Sequence, residues 1–262
     1  MSRGDGIGAF FDLDGTLLAA PSVERRFIFY LLTRGLFRPA QFARCAERFI
    51  TNIARNRRAA MGANKAYFSG MSTRCAENWS RQLASRPVKL FSDGLRQLAF
   101  HFAEGHRIFL ITGAPAPLAE LVVSYFSVPL TIIGTQLEVR DGLWTGEIAG
   151  EHVCGTAKQR AIVQLAAAHN LDLARSFAYG DSVSDLPMLE TVGYPAAVNP
   201  SRNLERAARA RNWRVLHWSG HWRGRWRKTR NPRVENSHDP VQASPAFRAS
   251  LMPSINFPGT HR

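Results

Sequence analysis

The sequence predicts an α/β fold in which a parallel sheet lies between two layers of helices. Short apolar runs end at residues 11, 111 and 180, and each has the length of a buried strand. Segments with helical periodicity separate these runs along the chain. Strands that alternate with helices in this way form a parallel sheet covered on both faces, which is a three-layer arrangement.

The predicted elements follow one another in a regular order. The first strand covers residues 7–11, and a long helical segment separates it from the second strand at 107–111. The pattern further predicts helices at 92–104, 117–126, 161–169 and 201–211, strands at 130–134, 177–180 and 213–218, and a short helix that ends at Leu189. Residues 137–140 and 143–148, on either side of Asp141-Gly142, have the pattern of a hairpin.

The first strand runs into the most informative motif of the chain, Asp12-Leu13-Asp14-Gly15-Thr16. Open α/β folds place their chemistry at this carboxyl edge of the sheet. Asp12 and Asp14 would face the same way on a strand, so a bend at Gly15 is needed to separate them. Buried neighbouring carboxylates repel each other, and a divalent cation relieves that cost. The motif therefore predicts a metal site, with a calcium-loop fragment or plain turn chemistry as the alternative.

This motif resembles the nucleophile motif of the haloacid dehalogenase superfamily, which is Asp-x-Asp-Gly-Thr behind apolar residues. The resemblance implies a Rossmann-like core and phosphoryl-transfer chemistry. By this resemblance, Asp12 attacks phosphorus and forms an aspartyl-phosphate. Asp14 is then the general acid/base that protonates the leaving alcohol and later activates water.

Two later segments resemble the second and third motifs of the superfamily, in the same order. Thr112 and Gly113 end the second strand, and the resemblance implies that the Thr112 hydroxyl and the following backbone N–H bind phosphate oxygens. Lys158 matches the lysine that neutralises the nucleophile and the phosphoryl group. The alternatives are an ordinary strand with its turn, a solvated lysine at a helix start, and Arg160 as a rival for the lysine's role.

The fourth resemblance is Gly180-Asp181 followed by Asp185, after another predicted strand. It implies that Asp181 is a Mg²⁺ ligand and that Asp185 lies near the metal's waters or pairs with Lys158. The Asp12 and Asp181 carboxylates, the Asp14 backbone carbonyl and waters then form the metal site, as suits Mg²⁺. Ser184 stands where many relatives carry Asn, so one amide contact of the superfamily is absent.

About ninety residues separate the first motif from the second strand, and many of them follow a helical period. The apolar positions of this pattern include 42, 45, 46, 49, 50 and 53. The insertion resembles the small helical cap of the phosphoserine-phosphatase-like branch, which closes over the site and selects the substrate. A helical stretch packed permanently on the core is the alternative. We thus expect a catalytic core at 1–18 and 91–218, a helical cap at 19–90, and a basic, disordered tail at 219–262.

The positive charge is concentrated in the predicted cap and tail. The chain has 262 residues and a formal net charge of +14. Residues 20–90 carry net +11 and residues 219–262 net +6, which leaves net −3 for the remainder. Positive potential attracts polyanionic ligands and anionic surfaces, whereas a solvated basic face is the simpler meaning of most of these arginines.

The tail combines Trp222 and Trp226 with several arginines. This composition predicts contact with an anionic membrane surface or nucleic acid, or else a solubilising tail whose tryptophans fold back on the core. No apolar run reaches the ~18 residues of a membrane span, and no secretory signal precedes the first strand. Three cysteines, Cys45, Cys75 and Cys154, lack metal-type spacing and suggest free thiols in a reducing, cytoplasmic compartment.

The combined pattern predicts a Mg²⁺-dependent hydrolase of phosphate monoesters. The resemblance offers phosphoserine-like compounds, histidinol phosphate and glycerol phosphate as substrates. In phosphoserine phosphatases a cap Glu and Arg grip the amino acid, and Glu24 with one of four arginines are the candidates here: Arg25, Arg26, Arg57 and Arg58. Gly15 stands where many phosphoserine-active relatives have Ser.

Three other functions remain open at this point. The basic cap favours a phosphatidylglycerophosphate-type lipid phosphatase at the membrane surface. A phosphotransferase on the same scaffold would pass the phosphoryl group to an alcohol instead of water. A lipid- or nucleic-acid-binding protein that kept only the fold is the third alternative.

Overall fold

Strands and helices alternate along the chain, and the predicted α/β class is confirmed. The computed structural model describes residues 6–36, 43, 65–83, 88–123 and 126–222. The first half contains β1 (Gly8–Phe11), α1 (Val23–Thr33), β2 (Met71–Ser72), α2 (Arg74–Leu83), β3 (Leu90–Phe91), α3 (Ser92–Ala103), β4 (Arg107–Pro115) and α4 (Ala116–Val123). The second half contains β5 (Thr131–Thr135), β6 (Leu137–Arg140), β7 (Leu143–Ile148), α5 (Thr156–His169), β8 (Phe177–Gly180), α6 (Leu186–Leu189), β9 (Tyr194–Val198), α7 (Arg202–Ala210), β10 (Arg214–Leu216) and β11 (His221–Trp222).

The central sheet is parallel and has the strand order β10-β9-β8-β1-β4-β5. Strand β1 therefore lies between the two other strands that carry predicted site residues. Its last residue, Phe11, is in register with Leu110 of β4 and Tyr179 of β8. Because all three strands run in the same direction, the residues that follow these positions meet at one edge of the sheet.

Strand β1 is fully buried because apolar side chains cover both faces of the sheet. Phe10 stacks on Phe109 on one face, and Phe11 stacks on Tyr179 on the other. Successive strand residues point to opposite faces, so one short apolar run contributes to both halves of the core. Burial of each such aromatic side chain stabilises the fold by about 1.5–3 kcal/mol. This packing holds the end of β1 in place.

The described part of the predicted cap packs on the core through aromatic side chains. Helix α1 buries Val23, Phe27 and Leu31, which lie on one face at four-residue spacing. The Phe27 ring lies 5.4 Å from that of Phe68 and 5.1 Å from that of Trp79, measured between ring centroids. The periodic segment at 42–53 falls outside the described residues, apart from residue 43.

The predicted hairpin is present with the predicted bounds. Its second strand, β7, also pairs with the inserted segment between β1 and β3. Asp141 and Gly142 have positive φ angles of 52° and 73°, which suit a tight hairpin turn. Strand β2, which the sequence did not predict, pairs antiparallel with β7. The edge of the hairpin therefore anchors the inserted segment by backbone hydrogen bonds as well as by side-chain packing.

Two predicted boundaries move in the structure. Helix α5 begins at Thr156 rather than at residue 161, so Lys158 lies in its first turn. The chain at 219–222, predicted to belong to the disordered tail, is part of the fold, because the exposed edge of β3 pairs with β11. The backbone N–H of Ser219 also donates to Asp93 at 2.6 Å. Residues 223–262, including Trp226, fall outside the described residues.

Cys75 and Cys154 are free thiols, and Cys45 lies outside the described ranges. None of the helices described here combines the length and the apolar character that crossing a lipid bilayer requires.

A buried polar cluster is centred on His101 of α3 and contacts Tyr179 of β8. The Nε2 atom of His101 lies 2.9 Å from the hydroxyl of Tyr179, and its Nδ1 atom lies 2.8 Å from Nδ1 of His106. Gln97 also donates to the Tyr179 hydroxyl at 3.0 Å. Burial, and secondarily His106, lower the pKa of His101 to about 3, so the ring is neutral in the folded protein.

We predict that this histidine makes the free energy of unfolding depend on pH. Between pH 6.5 and about 3, His101 binds a proton in the unfolded state but not in the folded state. Its contribution to the free energy of unfolding is therefore fully present above pH 6.5 and is lost as the pH falls below that value. The loss reaches up to about 1.4 kcal/mol for each pH unit. Urea unfolding of wild type and His101→Phe at several pH values measures it. The variant should have the flatter profile, whereas the exposed-site control His217→Phe should follow wild type. Parallel profiles for His101→Phe and wild type would contradict the prediction.

Candidate active site

A cavity of about 250 Å³ opens where β1, β4 and β8 end. Six residues predicted from the sequence line it: Asp12, Asp14, Thr112, Gly113, Lys158 and Asp181. The seventh, Asp185, contacts this cavity's lysine from behind. The strand order thus collects residues that are far apart in the chain at a single place.

Lys158 connects the first and the last motif. Its Nζ atom lies 2.5 Å from Oδ1 of Asp12 and 2.6 Å from Oδ1 of Asp185. All three side chains are buried. Burial alone would lower the pKa of Lys158, but the two carboxylates outweigh it and raise that pKa, so the lysine is charged. The exposed Arg160 pairs with Glu151 instead and is not a rival for this position.

Asp185 is held by the turn that follows β8. Its Oδ2 atom accepts hydrogen bonds from the backbone N–H groups of Asp181 at 3.2 Å and Ser182 at 3.0 Å, and from the Ser182 hydroxyl at 3.0 Å. A Cβ atom on Gly180 would lie 2.5 Å from Cβ of Asp185, so only glycine allows this approach. Both oxygens of Asp185 are therefore engaged, one by Lys158 and the other by the turn after β8.

Carboxylate oxygens of Asp12, Asp181 and Asp185 lie within 4.8 Å of one another. With Asp185 engaged, Asp12 and Asp181 are the side chains suited to hold a cation. Burial, and then the charge of Asp185, raise the pKa of Asp181 to about 7. Burial also raises the pKa of Asp12, with Lys158 opposing it. A divalent cation would remove this electrostatic cost, so the donor set fits Mg²⁺.

Asp14 turns away from Asp12 and faces α1. Its Oδ1 atom accepts the backbone N–H of Val23, the first residue of α1, at 2.7 Å. The bend lies at Gly15, whose φ is 95° and whose added Cβ would lie 2.1 Å from Oδ2 of Asp181. Burial raises the pKa of Asp14 to about 6, while the bond from Val23 opposes the rise. A carboxyl group with a pKa near neutrality is suited to general acid/base catalysis.

The end of β4 forms the wall that was predicted to bind phosphate. Thr112 is buried, and its hydroxyl accepts the backbone N–H of Ala114 at 3.1 Å. The carbonyl of Gly113 accepts a hydrogen bond from the Thr135 hydroxyl at 2.9 Å. These bonds fix the backbone beside the cavity. A Cβ atom added at Gly113 would lie 3.4 Å from Nε2 of His152.

The inserted segment contributes Glu24 and Lys65 to the cavity wall. Glu24 was a candidate from the sequence, whereas Lys65 was missed. Arg26 does not line the cavity, because its guanidinium donates to backbone carbonyls of residues 19–21. Arg25 is exposed, and Arg57 and Arg58 lie outside the described residues. The only hint of Lys65 in the sequence is a charge placed directly before the apolar run 66–68.

Six further residues line the cavity without having been predicted as site residues: Ala114, His152, Val153, Cys154, Ser182 and the Ser184 noted above as a departure from the superfamily. The Ser182 and Ser184 hydroxyls lie 2.6 Å apart. Ser184 thus bonds within its own turn.

A profile of the haloacid dehalogenase-like hydrolases matches residues 9–190. The chain belongs to this family. The matched segment includes all four motifs that meet in the cavity. The central sheet is accordingly the Rossmann-like core of a haloacid dehalogenase-like hydrolase, as the sequence predicted.

Relatives of known name place the chain in the phosphoserine-phosphatase-like part of the family. The protein named phosphoserine phosphatase SerB1 from Mycobacterium tuberculosis is 32% identical over 219 residues, which cover 79% of this chain and 69% of that protein. The histidinol-phosphatase of Neisseria meningitidis is 28% identical over an alignment that covers 80% of this chain and 98% of that protein. These relatives and the family match identify the chain as a phosphoric monoester hydrolase.

A solved structure shows the same fold over nearly its whole length. It is a Bordetella pertussis protein of unknown function, 29% identical, with a TM-score of 0.66. The alignment covers 80% of this chain and 98% of that protein. The residues it leaves out of this chain amount to about one fifth.

We predict that Asp185→Asn impairs both stability and turnover in this haloacid dehalogenase-like site. An amide NH₂ would face either the Lys158 ammonium or the three donors from the β8 turn, so a donor meets a donor. One buried hydrogen-bonding group left unsatisfied costs about 1–3 kcal/mol. Urea unfolding and phosphate release measure the two effects.

The matched control is Glu190→Gln, which removes an exposed carboxylate paired with Arg211 at 2.8 Å. Exposed pairs contribute at most about 1 kcal/mol, so this variant should retain wild-type turnover. If Asp185→Asn behaves like Glu190→Gln, Asp185 does not position the lysine.

Proposed function

We propose that the protein is a Mg²⁺-dependent phosphate-monoester hydrolase that works through an aspartyl-phosphate on Asp12. The observation that carries this proposal is the separation of the two acids. Asp12 contacts Lys158 at 2.5 Å, whereas Asp14 is held by Val23 and has a pKa near 6. One carboxylate thus has the partner of a nucleophile, and the other has the pKa of a proton donor.

In the first step, an Asp12 oxygen attacks phosphorus and the bond to the leaving alcohol breaks. Asp14 gives its proton to the alcohol oxygen. Lys158, the Thr112 hydroxyl and the backbone N–H after Gly113 offset the negative charge on the phosphoryl oxygens. The Asp12 and Asp181 carboxylates and the Asp14 backbone carbonyl would hold Mg²⁺, which would supply further positive charge beside the phosphoryl group.

In the second step, the ionised Asp14 takes a proton from water. The resulting hydroxide attacks phosphorus and the bond to the Asp12 oxygen breaks, which releases inorganic phosphate and regenerates the Asp12 carboxylate. The bond from Val23 fixes the direction of the Asp14 carboxyl in both steps. A phosphotransferase would differ only here, with an alcohol in place of water.

The substrate is a small phosphorylated metabolite. The cavity of about 250 Å³ falls below the about 300–1,000 Å³ typical of sites for drug-sized ligands. Phosphoserine-like compounds, histidinol phosphate and glycerol phosphate are the candidates that the superfamily and the names of the relatives support. A cytoplasmic location and a role of the basic tail at membranes or nucleic acid remain predictions.

Asp12→Asn should abolish turnover while leaving the fold intact, because the amide keeps the shape but cannot attack phosphorus. Asp14→Asn should reduce turnover by about 10²–10⁴-fold, the usual contribution of general acid/base catalysis. Phosphate release from a panel of phosphorylated metabolites, with unfolding curves as the fold control, measures both. Wild-type-like turnover of Asp12→Asn would rule out the covalent mechanism.

Removal of divalent cations by EDTA should silence the enzyme, and added Mg²⁺ should restore it. Without the cation, the Asp12 and Asp181 carboxylates would repel the phosphate, and Lys158 is already paired with Asp12 and Asp185. The same assay with dialysed protein measures the effect. The control is the fold of the EDTA-treated protein, whose unfolding, monitored by far-UV circular dichroism, should still be cooperative. Full activity in metal-free buffer would remove Mg²⁺ from the mechanism.

A further inference from the structure

The cavity wall supplied by the inserted segment contains an ion pair between the buried Lys65 and the partly buried Glu24. Lys65 Nζ lies 2.8 Å from Oε1 and 2.7 Å from Oε2 of Glu24, so the ammonium bonds both carboxylate oxygens. The hydroxyl of Tyr67 donates to Oε1 of Glu24 at 2.6 Å. Lys65 is 1% exposed, and both charged residues line the same cavity as Asp12 and Lys158. This pair has no part in the chemical steps described above.

Both members of the pair are held in place by their surroundings. Glu24 is the second residue of α1 and follows Val23, whose N–H binds Asp14. Lys65 directly precedes the 3-10 turn Ala66–Phe68, and the Phe68 ring packs 4.8 Å from that of Trp144. The wall is therefore rigid on both sides of the ion pair and lies beside the proton donor, where the leaving alcohol of a substrate has to fit.

The pair determines which charges this wall can accept. A lone carboxylate at position 24 would attract an ammonium group on the leaving alcohol, but Lys65 already neutralises it. A substrate ammonium without a neighbouring carboxylate would have to displace Lys65 and leave a buried charge unpaired, which is strongly unfavourable. An uncharged hydroxyl can approach without breaking the pair. Burial and the Lys65 charge lower the pKa of His152, so that neighbour adds no charge at neutral pH.

We propose that the Glu24–Lys65 ion pair makes the enzyme select phosphate esters of uncharged alcohols, such as polyols, over those that carry an ammonium group but no carboxylate next to the ester carbon. The inference rests on the proposed function. Histidinol phosphate carries such an ammonium alone and glycerol phosphate carries none, whereas phosphoserine has a carboxylate that can pair with Lys65 while its ammonium pairs with Glu24. Lys65 is thus a specificity-determining residue for this reaction.

Two substrates of equal size test the proposal. O-phosphoethanolamine and 2-hydroxyethyl phosphate differ only in an ammonium group and a hydroxyl group at the same position. Wild-type enzyme with Mg²⁺ should show a kcat/KM for the hydroxyl compound that is about tenfold higher or more, the factor of one hydrogen bond to a charged group. Equal values, or a preference for O-phosphoethanolamine, would overturn the proposal.

Three variants connect this ratio to the ion pair. Lys65→Met removes the ammonium at similar side-chain length and should shift the ratio toward O-phosphoethanolamine by about tenfold or more, because Glu24 is then free to bind it. Glu24→Gln combined with Lys65→Met leaves neither charge on the wall, so the wild-type preference and its reversal in Lys65→Met should both disappear. Lys89→Met, at an exposed lysine outside the cavity wall, should keep the wild-type ratio.

An unchanged ratio in folded Lys65→Met would overturn the proposal. If that variant does not fold, the wild-type ratio and the double variant decide, since the double variant should hydrolyse the two compounds at similar rates. Hydrolysis of p-nitrophenyl phosphate by wild type separates the two levels of inference. If wild type hydrolyses neither p-nitrophenyl phosphate nor either test compound, the proposed function is overturned and this inference with it. If it hydrolyses the two test compounds without discriminating between them, only this inference is overturned.

Discussion

The buried lysine between two carboxylates is the interaction on which the site depends. Lys158 contacts Asp12 and Asp185 at 2.5 and 2.6 Å, and the charges of all three would be very costly to bury alone. The arrangement requires β1 to lie beside β8, and it requires α5 to begin early enough to place Lys158 in its first turn. The sheet order and the start of one helix therefore serve the same electrostatic purpose.

Electrostatic balance also explains why the fourth motif is rigid. Asp185 neutralises Lys158 with one oxygen and accepts three donors with the other. A mobile carboxylate here could turn toward a cation or toward Asp181 and leave the lysine underpaired. Gly180 permits the close approach that prevents this. Asp12, the proposed nucleophile, thus has its charge partner in place before any substrate or cation arrives, which is the condition for electrostatic preorganisation.

The start of α1 connects the inserted segment with the chemistry. Val23 orients Asp14, and the next residue, Glu24, forms the ion pair with Lys65 on the cavity wall. A shift of this helix would change the proton donor and the leaving-group wall together. A charge on Glu24 also contributes to the raised pKa of Asp14. The proposed proton transfer and the proposed selection of the leaving alcohol therefore share one structural element.

The amino-acid sequence alone was sufficient for the α/β class, for five of the six strands of the central sheet and for the choice of seven candidate site residues, because these depend on local apolar periodicity and on short motifs at strand ends. Contacts between distant residues were beyond its reach. The pairing of Lys65 with Glu24, 41 positions apart, has no periodic signature. Strands β2 and β11 are two residues each and exist because neighbouring edges offer hydrogen bonds. Which groups meet, and which charges cancel, was decided by the packing of the folded chain.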